Sequence, residues 1–263
     1  MNIVIFSPFG AGSQETGLLG LLANYLKNIF PQVCALRCNG IFSLCDRDGE
    51  NGWRRGIQGC FSCMQEQERL SAWAGIRQED LSLYLEPEEV VATKRWVLGL
   101  SAEEIPHSSF QGFVPYGLCV DSLRAYFGVE TPDLSNEAHG PPLRRMLISA
   151  LRMILVSDRF VRANKPNLAL VAGGRDFISA AFIERARAGG VDVAEFCWDL
   201  ASRSIKILHP RSRKEFPCPL VFEDITTMRS DSRTWPWELV RILEDILVFL
   251  DLTSSQLALP IAR

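Results

Sequence analysis

The sequence predicts an α/β protein with a mainly parallel sheet covered by helices on both faces. Three observations carry that expectation. Short apolar runs of strand length occur at 2–7 (NIVIFS), 32–37 (QVCALR), 167–172 (NLALVA) and 191–198 (VDVAEFCW). Runs of this kind, without polar alternation, suit strands buried on both sides. Two of them end in punctuated loops, at Pro8 to Gly10 and at Gly173-Gly174, and a strand–loop–helix–strand order appears twice, over 2–37 and 167–198, as parallel crossover units require.

After the first strand and the loop 8–15, leucines 18, 19, 21, 22 and 26 recur at helical spacing, and Pro31 stops the helix expected over 16–30. The second strand follows. The stretch 38–63 is rich in Gly, Asp and Asn and has no period, so it reads as a Cys-rich insertion after that strand. Helical patterns then cover 64–76, 87–100, 116–127 and 143–163, with Pro87 at a first turn. Leu81, Leu83 and Leu85 alternate briefly, and 132–142 reads as a loop. Beyond the third strand, 178–188 is helical and closed by Gly189-Gly190; the fourth strand, an irregular polar stretch and a last helix over 235–252 complete the chain.

The chain has 263 residues, 47% hydrophobic and 22% charged, a globular balance that excludes disorder and suits one domain spanning 1–263. Twenty-eight basic residues against 31 acidic ones give a net charge of −3, which argues against a nucleic-acid partner. No apolar run reaches the ~18 residues of a spanning helix, and the start MNIVIFSPFG has no basic n-region. The expected location is cytoplasmic.

Five of the eight cysteines fall between positions 34 and 63. Cys38 and Cys45 are C-x6-C, and Cys60 and Cys63 are C-x2-C. Four soft ligands suit a closed, structural Zn2+ site that would pin the insertion. An iron–sulfur or redox role, or four small buried hydrophobes, are the alternatives.

In parallel sheets ligands sit at the carboxyl ends of strands. That places three loops on one rim: 8–15, the stretch from Cys38, and 173–177. Gly10, Gly12 and Ser13 are candidate substrate contacts. The loop lacks the Lys of a phosphate-binding P-loop, and Arg37, Cys38 and Asn39 stand where a dinucleotide fingerprint needs an acid. Gly174 and Arg175 form a candidate anion clamp, with a helix entry capped by Asp176 as the alternative. His107, His139 and His209 have no partner at metal spacing, and no G-x-S-x-G elbow exists. Asp158, Glu195 and Asp199 are further carboxylates near element ends, and Arg211 to Lys214 is a small basic patch, either solvated or facing an anionic lipid surface.

Five segments, SPFGAGSQETG (7–17), LRCNGIFSLC (36–45), CFSCMQEQERL (60–70), VPYGLCVDSLRAYFG (114–128) and 167–196, occur in an order that resembles one family. It is the N-terminal, acceptor-side half of bacterial GT-B glycosyltransferases of surface polysaccharide biosynthesis, capsule or lipopolysaccharide type. The resemblance spans 1–198 and implies a Rossmann-like domain of a cytoplasmic transferase, peripheral to the inner membrane face. It implies a nucleotide sugar as donor and a glycan or lipid-linked acceptor. Glu15 and Asp121 would then supply the catalytic base, with Arg175 on the leaving group. The donor-binding half has no counterpart in the sequence, so a second chain would supply it and activity of the chain alone stays open. Two alternatives stand beside this reading: a non-enzymatic, zinc-stabilised binding or assembly subunit, and a nucleotide-dependent enzyme using the Gly10–Gly12 loop.

Overall fold

The computed structural model describes residues 1–8, 13–45, 57–218 and 230–252. It is an α/β, Rossmann-like fold with one seven-stranded, mostly parallel sheet between two helical layers. The strands are β1 (Asn2–Phe6), β2 (Gln32–Arg37), β3 (Arg77–Asp80), β4 (Leu168–Ala172), β5 (Asp192–Asp199), β6 (Ser204–Leu208) and β7 (Glu215–Cys218). They lie in the order β3-β2-β1-β4-β5-β6-β7, with β1 to β5 parallel and β6 and β7 antiparallel. The order reverses between β1 and β4.

The central strands alternate between two cores. Val4 and Phe6 of β1, with Ala169 and Val171 of β4, face one core. Ile3, Ile5, Leu168, Leu170 and Ala172 face the other. This period-2 division is why those strands are apolar at every position.

The first core is roofed by α4 (Tyr116–Phe127), α5 (Gly140–Asn164) and α6 (Phe177–Ala188), with α3 (Pro87–Gly99) against α5. The second is roofed by α1 (Gln14–Leu26), α2 (Ile57–Ala74) and α7 (Trp237–Phe249). Near its carboxyl end α5 is anchored to α3 by Arg159, which forks onto both oxygens of Glu89 at 2.8 and 2.7 Å. Helix α1 is buried on nearly every side, as its five leucines require. No helix among the described residues is long and apolar enough to cross a membrane.

Three strands depart from the sequence reading. β3, RQED, has no apolar residue and lies at a sheet border. The stretch read as irregular contains the hairpin β6–β7. Leu81–Tyr84, where the leucines alternate, is a 3-10 turn. The hairpin turn is held by His209, whose Nδ1 accepts from the Arg211 and Ser212 amides at 3.2 and 3.1 Å. Nδ1 therefore carries no proton, and Nε2–H faces Asp251 Oδ2 at 3.2 Å.

Candidate functional site

The loops after β1 and β4 flank the point where the strand order reverses, the usual ligand position in such sheets. The β1 side is built around hydroxyls. Ser13 caps α1, its Oγ accepting from the Thr16 amide at 3.2 Å. Thr16 Oγ1 also bonds Ser13 Oγ at 2.8 Å and the buried Ser7 Oγ at 2.5 Å. Gln67 of α2 reaches over and donates from Nε2 to the Ser7 carbonyl at 2.8 Å.

Beneath these groups lies a hollow between α1, α2 and the β1–β2–β3 side of the sheet. Its empty space, counted out into the open solvent at its mouth, is about 400 Å³. Its walls are apolar, with Ile5, Leu19, Leu70 and Ile76 prominent, while Ser7, Thr16, Gln67, Ser71 and Gln78 supply polar groups. One end is tied by Lys27 Nζ, which donates to the Ala74 carbonyl at 2.5 Å, and by Asn24 Nδ2, which donates to the Ser230 carbonyl at 2.8 Å. Gln67 is only 6% exposed, yet its Oε1 has no partner, and neither has the buried Nε2 of Gln78. Leaving such an atom unmatched costs ~1–3 kcal/mol. None of these hollow residues was singled out from sequence. The readable signal was α2's buried stripe, Cys63, Gln67, Ser71 and Ala74, where a helix against a core should carry larger apolar side chains.

The β4 side is acidic. Glu15, in the first turn of α1, accepts from the Trp198 amide at 2.9 Å and so ties α1 to the end of β5. Gly174 follows β4 at φ +142, and Arg175 beside it is exposed and makes no ion pair among the described residues. Asp176 caps α6 by accepting from the Ser179 amide at 2.7 Å and the Gly174 amide at 3.4 Å. The carboxylate therefore already occupies the amides an anion would seek. Cys197 donates to the Gly173 carbonyl at 3.1 Å. Burial pushes its thiol up to about 12; the carboxylates of Glu195 and Glu15 add to the rise, and Arg175 opposes it.

Glu15, Gly174 and Arg175 thus share one edge, around Cys197. Asp121 is not among them. It lies on α4, in the opposite helical layer from α1, with its side chain 58% exposed and paired with Arg124 at 2.9 Å. Gly10 and Gly12 lie outside the described residues. In the basic patch, Arg211 is paired with Asp192 at 2.5 Å and Arg213 with Glu195, so both cations are committed within the chain.

The four-thiolate zinc centre is not assembled. Cys60 and Cys63 stand on successive turns of α2 instead of in a tight turn. Cys38 is near them and belongs to the first core, against which Cys45 also packs. Among the described residues no group of three or more His, Cys, Asp or Glu side chains is placed to hold a metal ion. Burial pushes the Cys38 thiol up to about 12, against the pull of the Gly40 amide, and the neighbouring Cys63 and Cys60 add to the rise.

Burial also pushes the Asp176 carboxyl above the ordinary aspartate range, against the pull of the Ser179 and Gly174 hydrogen bonds. For an acid raised in the folded state, stability is highest below the unfolded value of about 3.9 and declines as pH rises through the folded value. Asn caps as well as Asp but does not ionise. Asp176→Asn is therefore expected to gain stability relative to wild type between pH 3.5 and pH 7. Urea melts at the two pH values check this, and a difference independent of pH contradicts it.

No protein-family model matches the chain, and no curated protein matches it. Solved structures that do match include a cyclodipeptide synthase of Staphylococcus haemolyticus, at 9% identity and TM-score 0.40, covering 71% of this chain and 84% of that one. A cyclo(L-leucyl-L-phenylalanyl) synthase is similar at 13% identity and TM-score 0.35, covering 70% and 82%. A cyclodipeptide synthase from Bacillus thermoamylovorans is similar at 11% identity and TM-score 0.36, covering 71% and 81%. At these identities and TM-scores the activity in those names does not carry over to this chain. The resemblance to GT-B glycosyltransferases is nevertheless overturned: these matches are cyclodipeptide synthases, and neither family models nor curated sequences support a sugar transferase. With it falls the non-enzymatic, zinc-stabilised subunit of the same pathway.

Proposed function

We propose that this protein binds a small amphipathic molecule in the hollow between α1, α2 and the sheet. The apolar body lies against Leu19, Leu70 and Ile76, and the polar head meets Ser7, Thr16 and Gln67 at the carboxyl end of β1. The observation that supports this reading is the buried Gln67 amide, held on the Ser7 carbonyl by one end and unpartnered at the other. Natural interiors rarely leave such a group unmatched unless something fills the space.

The test is a thermal-melt screen of small amphipathic molecules against wild type and Ser71→Leu. Ser71 is buried and lines the hollow, and leucine there fills space while keeping the helix. A ligand at one hundred times its dissociation constant adds about 2.7 kcal/mol, a rise of roughly 5–10 °C for a chain of this size. Wild type is expected to show such a rise and Ser71→Leu to lose it. Equal rises in both proteins contradict the assignment of the hollow.

A further inference from the structure

Three thiols gather where β2 ends and α2 begins. The Gly40 amide donates to Cys38 Sγ, and Cys63 and Cys60 lie near enough for their charges to bear on the Cys38 thiol. A Cβ on Gly40 would stand 3.8 Å from Cys60 Sγ. Cys38 and Cys60 therefore border the same glycine, one from just past β2 and the other from α2. Cys63, one turn further along α2, donates instead to the Pro8 carbonyl at 3.9 Å. All eight cysteines are reduced thiols in this structure. Cys38 and Cys63 are buried, while Cys60 is partly exposed.

We propose that Cys38 and Cys60 form a reversible disulfide under hydroperoxide, tying the end of β2 to the first turns of α2. This goes beyond ligand binding in the hollow and does not depend on it. Cys60 is the thiol an oxidant reaches first, since sulfenic acids form on accessible cysteines. Its sulfur attacks one peroxide oxygen. The O–O bond breaks, the sulfur gains a hydroxyl, and the second oxygen takes the Cys60 proton and leaves as water. Cys38 then attacks the Cys60 sulfur. The S–S bond forms, the S–O bond breaks, and the hydroxyl departs with the Cys38 proton as water. Two thiols thus give two electrons to one peroxide. A dithiol reverses the bond by thiol exchange. Buried thiols are inert towards oxidants in solution, so Cys38 acts as the resolving partner.

The full chain is incubated with one equivalent of hydrogen peroxide, blocked with iodoacetamide, digested with trypsin without reductant and read by mass spectrometry. Trypsin leaves Cys38 and Cys45 on the peptide 38–47, and Cys60 and Cys63 on the peptide 56–69. These two peptides are expected to appear linked, and dithiothreitol to separate them. Cys45→Ala and Cys63→Ala should keep the link, and Cys38→Ala and Cys60→Ala should lose it. If Cys38→Ala does not fold, Cys60→Ala, at the more exposed position, carries the same comparison. A link that survives Cys60→Ala, or that vanishes in Cys45→Ala or Cys63→Ala, overturns the pair. Over-oxidation of Cys60 with no link overturns it too, as does a link that forms only in urea.

Discussion

Phe182→Ala is expected to destabilise the fold by about 3–5 kcal/mol, the range for emptying a buried aromatic site. Phe182 is fully buried on α6, and its ring centroid lies 4.6 Å from that of Phe6, in the middle of the sheet. The space left cannot collapse readily, because β1 is fixed by ladders on both sides and α6 by its packing on α5. A melting-temperature drop on the order of 10 °C should accompany it. A cycle with Phe6→Ala isolates the ring–ring contribution, which aromatic pairs put at about 0.5–1.5 kcal/mol. Urea unfolding measures both. A loss under about 1 kcal/mol would show that this contact is not a packed centre of the fold.

Gly174→Ala should cost about 3 kcal/mol, from two sources that a second substitution separates. The backbone at φ +142 suits glycine alone, and a residue forced there is strained by about 1–3 kcal/mol. A Cβ on Gly174 would also stand 2.7 Å from Glu195 Oε2. That carboxylate cannot step aside freely, since Arg187 holds its Oε1 at 2.6 Å and Arg213 holds the same oxygen. Glu195→Ala removes the obstruction and leaves the backbone strain. The double variant should therefore lose less than the sum of the singles, and strict additivity in urea melts would refute the steric part.

How far the fold could be read from the residues depended on where each strand sits. β1, β2, β4 and β5 are sandwiched between helical layers, so burial on both faces wrote itself into apolar runs. β3 has one neighbouring strand and carries RQED, which no hydrophobic pattern distinguishes from a loop. In β6 the alternation of Ile205 and Ile207 was present, but its polar surroundings hid it. The cysteine spacing misled because C-x2-C reads equally as a metal-binding turn and as one turn of helix, and α2 makes it the latter.

The same contrast runs through the site. Ser13, Glu15, Gly174 and Arg175 were placed on one rim because parallel strands send every following loop to the same edge. The hollow was not foreseen. Its polar groups come from the middle of α2 and from a strand with no apolar signature, and only tertiary packing brings Gln67 and Gln78 to one space. The family resemblance failed for a related reason: small residues after a first strand are demanded by the topology and recur across unrelated activities.

The outermost strands have a consequence for association between molecules. β3 is four residues long and three of them, Arg77, Glu79 and Asp80, are ionic; β7, at the other margin, is also four residues long and includes Pro217, which has no N–H to offer. A stranger's backbone seeking to zip onto either flank would meet too few rungs, fixed charge or a missing donor, the features by which natural sheets resist fibril-like growth. Self-assembly of this protein, where it occurs, should therefore proceed through side-chain surfaces of its helices.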